Sequence, residues 1–384
     1  MTADKPPMRV LVFGTADMTK PRVRLLLEGL RLEGHEIIDC TRNIWDDIAD
    51  KSQVRSKLAM VGLALNWLWS ILVLSLRYLF APKHDAVLVC YPGHLDLWFI
   101  RPLSYLRRAP VIWDAFLSAY DTIVLDRRMA KPKSLVGRLA YAMDWCACRL
   151  CDRLFLDTPA HARFFEKTFQ LPVNTVGAVP VGAERQFSPP QETAIQQDEF
   201  KVLFYGQFIP LHGLPTILDA VYLLQGEDIK FTIIGQGQMS EWFQDALSRR
   251  PIPNLAYIRW VEYEELPKII TEHSLCLGIF SASDKANRVV ANKVYQILNT
   301  GAPLLTRDSD AMRAILNSNS DQVSLIPPEN PELLADAVLQ KYKNWLAAAK
   351  TVTFSDQGYR VTARDVGQAC SELFERTLGK KRNS

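Results

Sequence analysis

Short apolar runs of strand length alternate with helix-length amphipathic stretches along nearly the whole chain, and that alternation admits few architectures. Met8–Phe13, Glu36–Cys40, Ala86–Cys90, Val111–Trp113, Leu154–Asp157 and Thr175–Val179 read as strands, with helices over Pro21–Leu32, Leu135–Leu150 and Pro159–Thr168 among them. Strands separated by helices join as a parallel, doubly wound sheet. After Arg185 the run QFSPPQETAIQQDE is polar, carries prolines and lacks periodicity. The alternation then restarts, with strands over Lys201–Tyr205, Phe231–Ile234, Ala256–Trp260, Leu275–Phe280 and Pro303–Thr306, and helices over Leu214–Leu224, Glu241–Ser248, Glu264–Glu272 and Asn292–Leu298. At 384 residues the chain exceeds what one core usually serves. The expectation is therefore α/β: a Rossmann-like domain over 1–185, a linker over 186–199, a second over 200–358, and a helix with a basic tail over 359–384 packing back on the first.

Charge and cysteine content narrow the function classes. Lys and Arg total 45 against 42 Asp and Glu, too balanced for a chain whose main partner is nucleic acid. Residues 1–185 hold 25 basic and 19 acidic side chains, so the front half is basic and the back half acidic, as suits a domain leaning on anionic lipid or a phosphorylated acceptor. Seven scattered cysteines make no disulfide framework and point to reduced thiols in a cytosolic compartment. Cys146, Cys148 and Cys151 lack the spacing of a zinc site and read as small buried thiols. The opening residues run straight into a strand and show no signal peptide.

Leu58–Phe80 is apolar and long enough to cross a bilayer. Crossing would put the first strand on the opposite side of the membrane from its partners, which argues for a buried helix or one lying in the interface. Trp67, Trp69 and Tyr78, flanked by Arg55, Lys57, Lys83 and His84, are the anchors an interfacial seat uses. The expected location is the cytoplasmic face of the cell membrane, with an anionic surface as partner.

Three segments carry candidate chemistry. The strand ending at Tyr205 opens into Gly206, Gln207 and on to His212 and Gly213, a loop in which backbone N–H groups can approach an anion ahead of a helix. Gly235 and Gly237 end the next strand on the same sheet edge, where parallel sheets collect ligands. In the third, Lys285, Arg288 and Lys293 surround a helix start at which Asn292 is the expected N-cap, a setting for a diphosphate. In the front half, Gly14 closes the first strand.

Together the loop at Gly206–Gly213, the glycine turn, the run NKVYQILNTGAPLLT, the front segment KPRVRLLLEGLRLEGHEI and the crossing VPVGAERQFSPP resemble the retaining glycosyltransferases of family 4. That resemblance covers nearly the whole chain. It implies a GT-B fold, two Rossmann-like domains facing a cleft, and sugar transfer from a nucleotide-diphosphate donor to a lipid-linked or glycan acceptor in cell-surface polysaccharide synthesis, with retention of configuration. No resident cofactor is implied beyond the donor as co-substrate, and no Asp-x-Asp motif suggests a metal.

Departures are as informative. Where the family supplies Arg and Lys to the diphosphate, this chain has Gln207 and His212; where it has two glutamates, this chain has Arg288 and Gln296. The expectation is that Arg288 and Lys293 supply catalytic charge and that Gln296 accepts from ribose hydroxyls. Asp114 stands where relatives often have a catalytic His and could orient or deprotonate an acceptor, or cap a helix. His94, Asp96, Ser118 and Asp121 are the acceptor-side candidates, and His161 reads as structural. A donor-binding but non-catalytic partner of a glycan-synthesis complex and a GT-B-fold epimerase remain as alternatives. An NAD-dependent dehydrogenase does not, because the first strand is followed by GTADMT and not GxGxxG.

Overall fold

The computed structural model describes residues 7–45, 57–316, 322–355 and 358–382. Arg55 and the side chains of Lys57, Leu58, Lys380, Lys381 and Arg382 lie outside the described residues. The chain packs as two units, one ending at Gly182 and resuming at Val361, the other running from Ala183 to Arg360.

The first unit is built from β1 (Arg9–Gly14), α1 (Pro21–Leu32), β2 (Glu36–Thr41), α2 (Lys57–Leu79), β3 (Ala86–Val89), α3 (Asp96–Arg107), β4 (Val111–Asp114), α4 (Leu135–Leu150), β5 (Arg153–Leu156), α5 (Pro159–Thr168) and β6 (Val176–Ala178). Its six strands run parallel in the order β2-β1-β3-β4-β5-β6. Right-handed crossovers put α2 to α5 on one face and leave α1 on the other. Ile71, Leu74 and Tyr78 of α2, Leu97 and Ile100 of α3 and Phe165 of α5 bury their side chains in the core beneath the first of these faces.

The second unit contains β7 (Ala194–Gln196), β8 (Phe200–Tyr205), α6 (Leu214–Leu223), β9 (Ile229–Ile234), α7 (Ser240–Arg249), β10 (Leu255–Ile258), α8 (Leu266–Thr271), β11 (Leu275–Leu277), α9 (Asp284–Arg288), α10 (Asn292–Thr300), β12 (Leu304–Arg307), α11 (Asp310–Ile315), β13 (Val323–Ile326), α12 (Pro331–Ala347) and β14 (Thr351–Thr353). Its main sheet, β10-β9-β8-β11-β12-β13, has the doubly wound order whose direction reverses between β8 and β11.

Two expectations need correction. The polar stretch 186–199 is not a bare linker, because Ala194–Gln196 pairs antiparallel with Thr351–Thr353. A three-residue edge strand is too short to show periodicity. The strand expected to reach Phe280 stops at Leu277, and beyond it Ile279 N donates to Thr306 Oγ1 at 3.1 Å in place of a backbone carbonyl. α3, β13, α12 and a π-helical turn over Asp121–Asp126 were not anticipated.

α13 (Ala363–Arg382) returns to the first unit and crosses α1 at Gly29 and Gly367. A β-carbon at Gly29 would sit 2.6 Å from the Gly367 nitrogen and 2.8 Å from its Cα, so the two backbones touch where neither residue has a side chain. His35, between α1 and β2, ties to α13 as well, with Nε2 2.8 Å from Ser371 Oγ. Gly29→Ala should therefore cost about 1–3 kcal/mol. Differential scanning calorimetry should show a lower Tm, and limited proteolysis should cut first near the α13 junction. An unchanged Tm would mean that this crossing is loosely packed.

Candidate functional site

In the second unit the site grows from the sheet's reversal point. β8 ends at Tyr205, and the chain leaves through Gly206 at φ 137°, a backbone that side chains resist. Gly235 lies so close to the Gly206 carbonyl that any β-carbon there would collide with it. Phe208 N donates to Gln236 O at 3.0 Å, and Phe208 packs against Phe243 and Tyr257. The two glycine turns expected to share an edge are thus locked backbone to backbone, with Gly237 against Phe208.

Lys293 reaches into this corner from α10. Its ammonium nitrogen lies 3.7 Å from the Phe204 ring centroid. A β-carbon on Gly206 would sit 3.1 Å from Lys293 Nζ and 3.2 Å from His212 Cε1, so both basic side chains converge on the glycine. Lys293 is 5% exposed, and its Nζ has no hydrogen-bond partner among the described residues. Burial alone pushes its pKa well below the usual lysine value. A buried amine without an acceptor is costly, and an anion beside it removes that cost.

Asn292 is the first residue of α10, not its cap; Ala291 holds the extended N-cap conformation and no side chain caps the helix. The helix dipole still points to the same place, because the first-turn N–H groups lack helical acceptors. The short α9 carries Lys285 and Arg288, both buried. Ala286 and Val289 pack on Ile209 and Leu211, fixing the third loop against the first, and Phe280 N donates to His212 O at 3.0 Å. Gln207 is exposed beside Gly206 and Gly213 opens α6.

Gln296 is not turned to a ribose. Its Oε1 accepts from Tyr205 OH at 2.9 Å, its Nε2 donates to Tyr263 OH at 3.0 Å, and Tyr263 OH in turn donates to Glu184. Both ends of the amide are engaged within the protein. Glu184 and Tyr263 escaped the sequence reading, because their tie to Gln296 spans more than 30 residues.

In the first unit the candidates divide. Asp114 is fully buried in an ion pair, accepting from Arg22 Nη2 at 2.9 Å and from its Nε at 3.1 Å. Arg22 Nη1 donates to Val179 O and Pro180 O at 2.6 and 2.9 Å, and its guanidinium lies between Phe116 and Phe155. Asp114 is therefore a structural anchor and not a base for an acceptor hydroxyl. Asp96 also faces inward, accepting from Thr15 N at 2.6 Å and Trp67 Nε1 at 2.9 Å, which clamps the loop after Gly14. Burial raises the Asp96 pKa despite these donors.

His94, Ser118 and Asp121 are brought together by Asp144, a residue not singled out from sequence. Asp144 accepts from Ser118 Oγ at 2.7 Å, Tyr120 N at 2.8 Å and Ala119 N at 3.1 Å, and lies 2.9 Å from His94 Nε2. Asp121 N donates to Ser118 Oγ at 2.8 Å. The available signal was an aspartate on the buried stripe of α4 shared with Ala140, Ala147 and Cys148. His161 is buried with Nδ1 2.6 Å from Asp157. Cys148 and Cys151 are free thiols, the latter pushed up to about 12 by burial.

This geometry can be set beside known proteins. Residues 199–344 match the family model described as glycosyl transferases group 1. Among curated proteins, none matches the chain by sequence. Solved structures similar across both units include HepE of Anabaena in complex with UDP, at 10% identity, TM-score 0.60 and 98% coverage of each chain. Sucrose-phosphate synthase of Thermosynechococcus elongatus is similar at 12% identity and TM-score 0.63, also with 98% of each chain covered. TarM is similar at 14% identity and TM-score 0.58 over 80% of this chain and 58% of its own. The fold is the two-sheet α/β architecture of GT-B glycosyltransferases, and the match to the group 1 model lies within the second unit.

Two outcomes follow from the second unit's buried polar groups. The folded pKa of Lys293 lies below its unfolded value, so between the two the unfolded chain binds the extra proton and stability rises with pH. Lys293→Met should raise the ligand-free stability at neutral pH by about 1 kcal/mol or more and flatten the rise toward alkaline pH, as read by denaturant titration. Lower stability at every pH would make the amine a structural tether. For Gln296→Glu, the new carboxylate cannot donate to Tyr263 and competes with Glu184 for its hydroxyl, at a cost of about 1–3 kcal/mol. Adding Glu184→Gln exchanges the carboxylate and amide ends and should restore much of the loss; an additive double variant would break this account.

Proposed function

We propose that the protein is a glycosyltransferase that moves a sugar from a nucleotide-diphosphate donor to a lipid-linked or glycan acceptor in cell-surface polysaccharide synthesis, with retention of configuration. The carrying observation is the buried Lys293 amine, set against Gly206 and His212 at the start of α10. Its environment calls for an anion, and the leaving group of such a donor is a diphosphate whose negative charge grows as the glycosidic bond to phosphate breaks. A preorganised cation and helix N–H groups at that point stabilise the transition state more than the ground state.

The first loop lacks the Arg and Lys of the resembling family; Arg288, buried on the adjoining α9, compensates for that charge, and Lys293 lies beside Gly206. On the first unit, the Asp144 cluster fixes His94 and Ser118 at the strand carboxyl edge, where an acceptor hydroxyl would be oriented. UDP in the HepE structure makes uridine nucleotides the first donors to try.

A second reading, a donor-binding partner without catalysis, is favoured by one observation: Arg288 and the engaged Gln296 stand where the resembling family has carboxylates. The two separate by experiment. Calorimetry with UDP, GDP, ADP and CMP and their sugars should find one donor that binds, and Lys293→Met should weaken it by at least about tenfold, equivalent to roughly 1.4 kcal/mol. Donor binding with neither hydrolysis nor transfer to membrane-extracted acceptors would establish the second reading. Equal affinity in wild type and Lys293→Met would remove the site itself.

A further inference from the structure

α2 is only half used by the core. Ser70, Ile71, Leu74 and Tyr78 are buried, whereas Leu65, Leu68, Trp69, Leu72 and Leu76 recur at helical spacing on the opposite side and are each more than half exposed. α2 does not stand alone. It packs on α3, which packs on α4, with Trp67 meeting Phe99 edge to face at 5.5 Å across the first seam. α3 exposes Trp98 and Leu106, the latter 75% open, and α4 exposes Leu135 and Leu139 at 74% and 60%. Three neighbouring helices on one face of a sheet thus turn apolar stripes outward, far beyond the scattered leucines of an ordinary surface.

The charge of this face points to its partner. Between Lys57 and Leu150 the chain has 12 Lys and Arg but six Asp and Glu. Five of those six, Asp96, Asp114, Asp121, Asp126 and Asp144, are buried. The sixth, Asp85, accepts from Arg9 N. Apart from Asp85, what remains outside is basic: Arg108, Arg128, Lys131, Lys133, Arg138 and Arg149 are exposed and interleaved with Leu125, Met129 and Leu135. Apolar stripes, tryptophans and a rim of one sign match a headgroup layer over acyl chains. A second copy of this chain would meet the same face with like charges opposed.

Length does not decide the depth. Met60–Leu79 spans 20 residues at a mean hydropathy of 1.5, enough to cross a bilayer. However, β2 before it and β3 after it both pair with β1. Both ends return to one sheet, and a membrane-crossing return without helix or barrel is forbidden in lipid. We propose that the outer faces of α2, α3 and α4 form one composite seat that enters a single leaflet of an anionic bilayer without crossing it. This inference does not rest on the donor site.

Flotation of the full chain with vesicles tests it. With phosphatidylglycerol added to phosphatidylcholine the protein should float, and high salt should weaken but not abolish binding, because only the charged rim is screened. Leu106→Glu on α3 and Leu139→Glu on α4, both at exposed positions, should each cut partitioning at least about tenfold with unchanged Tm and nucleotide affinity. Binding equal to wild type in both would confine the seat to α2 and overturn the proposal. So would retention through alkaline carbonate, which marks a crossing helix. Absence of flotation on either vesicle, with a solution dimer dissociated by Leu106→Glu, would make the face a protein interface. Loss of nucleotide binding alone would strike the donor reading and leave the seat intact.

Discussion

Parallel pairing governs everything else in this molecule. Once each strand of a sheet runs the same way, every loop that follows a strand emerges at one edge, and the strand order decides which loops become neighbours. In the second unit the reversal lies between β8 and β11, the loop bearing α9 packs on the first loop, and α10 sends Lys293 to Gly206. In the first unit the reversal lies between β1 and β3, and Asp96 stitches Gly14–Thr15 to the turn before α3. The same crossover rule sends α2, α3 and α4 to one face, so three outward apolar stripes become one surface.

The buried charges fall into two kinds, and the contrast locates function. Arg22 and Asp114 satisfy one another, and the remaining guanidinium donors find Val179 O and Pro180 O. Such an anchor specifies the junction of α1, β4 and the chain after β6, and removing either partner would strand the other. Lys293 has no comparable acceptor and rests against an aromatic face. This amine lies at the sheet edge where ligands collect, and that position, more than its missing partner, is characteristic of binding.

How much of this could be read beforehand follows from the range of each interaction. Strand and helix order, the glycine turns and the basic third loop were legible because periodicity and local turn chemistry extend over a few residues. Asp114 was misjudged, since its position at a strand's end looks the same whether it faces solvent or Arg22, 92 positions away in sequence. Gln296 was misjudged for the same reason, its partners lying 91 and 33 residues off. α3 was missed because Pro102 interrupts its pattern, and Asp144 because a lone acid in an amphipathic helix is ordinarily assigned to the wet face.

The departures from the resembling family are better understood as a set than as losses. Gln296 accepts from Tyr205 and donates to Tyr263, whose hydroxyl passes its proton toward Glu184. Only an amide can serve both tyrosines in that order, because a carboxylate has no hydrogen to give. Glutamine at 296 and glutamate at 184 are therefore complementary choices in one network: the negative charge sits on the segment entering the second unit, and the amide connects it to Tyr205. With no carboxylate at 296, the buried amine of Lys293 at the start of α10 has no acceptor among the described residues, and burial holds its pKa well below the usual lysine value. An anion bound beside Gly206 would favour its protonated form, so that ligand and proton would bind together.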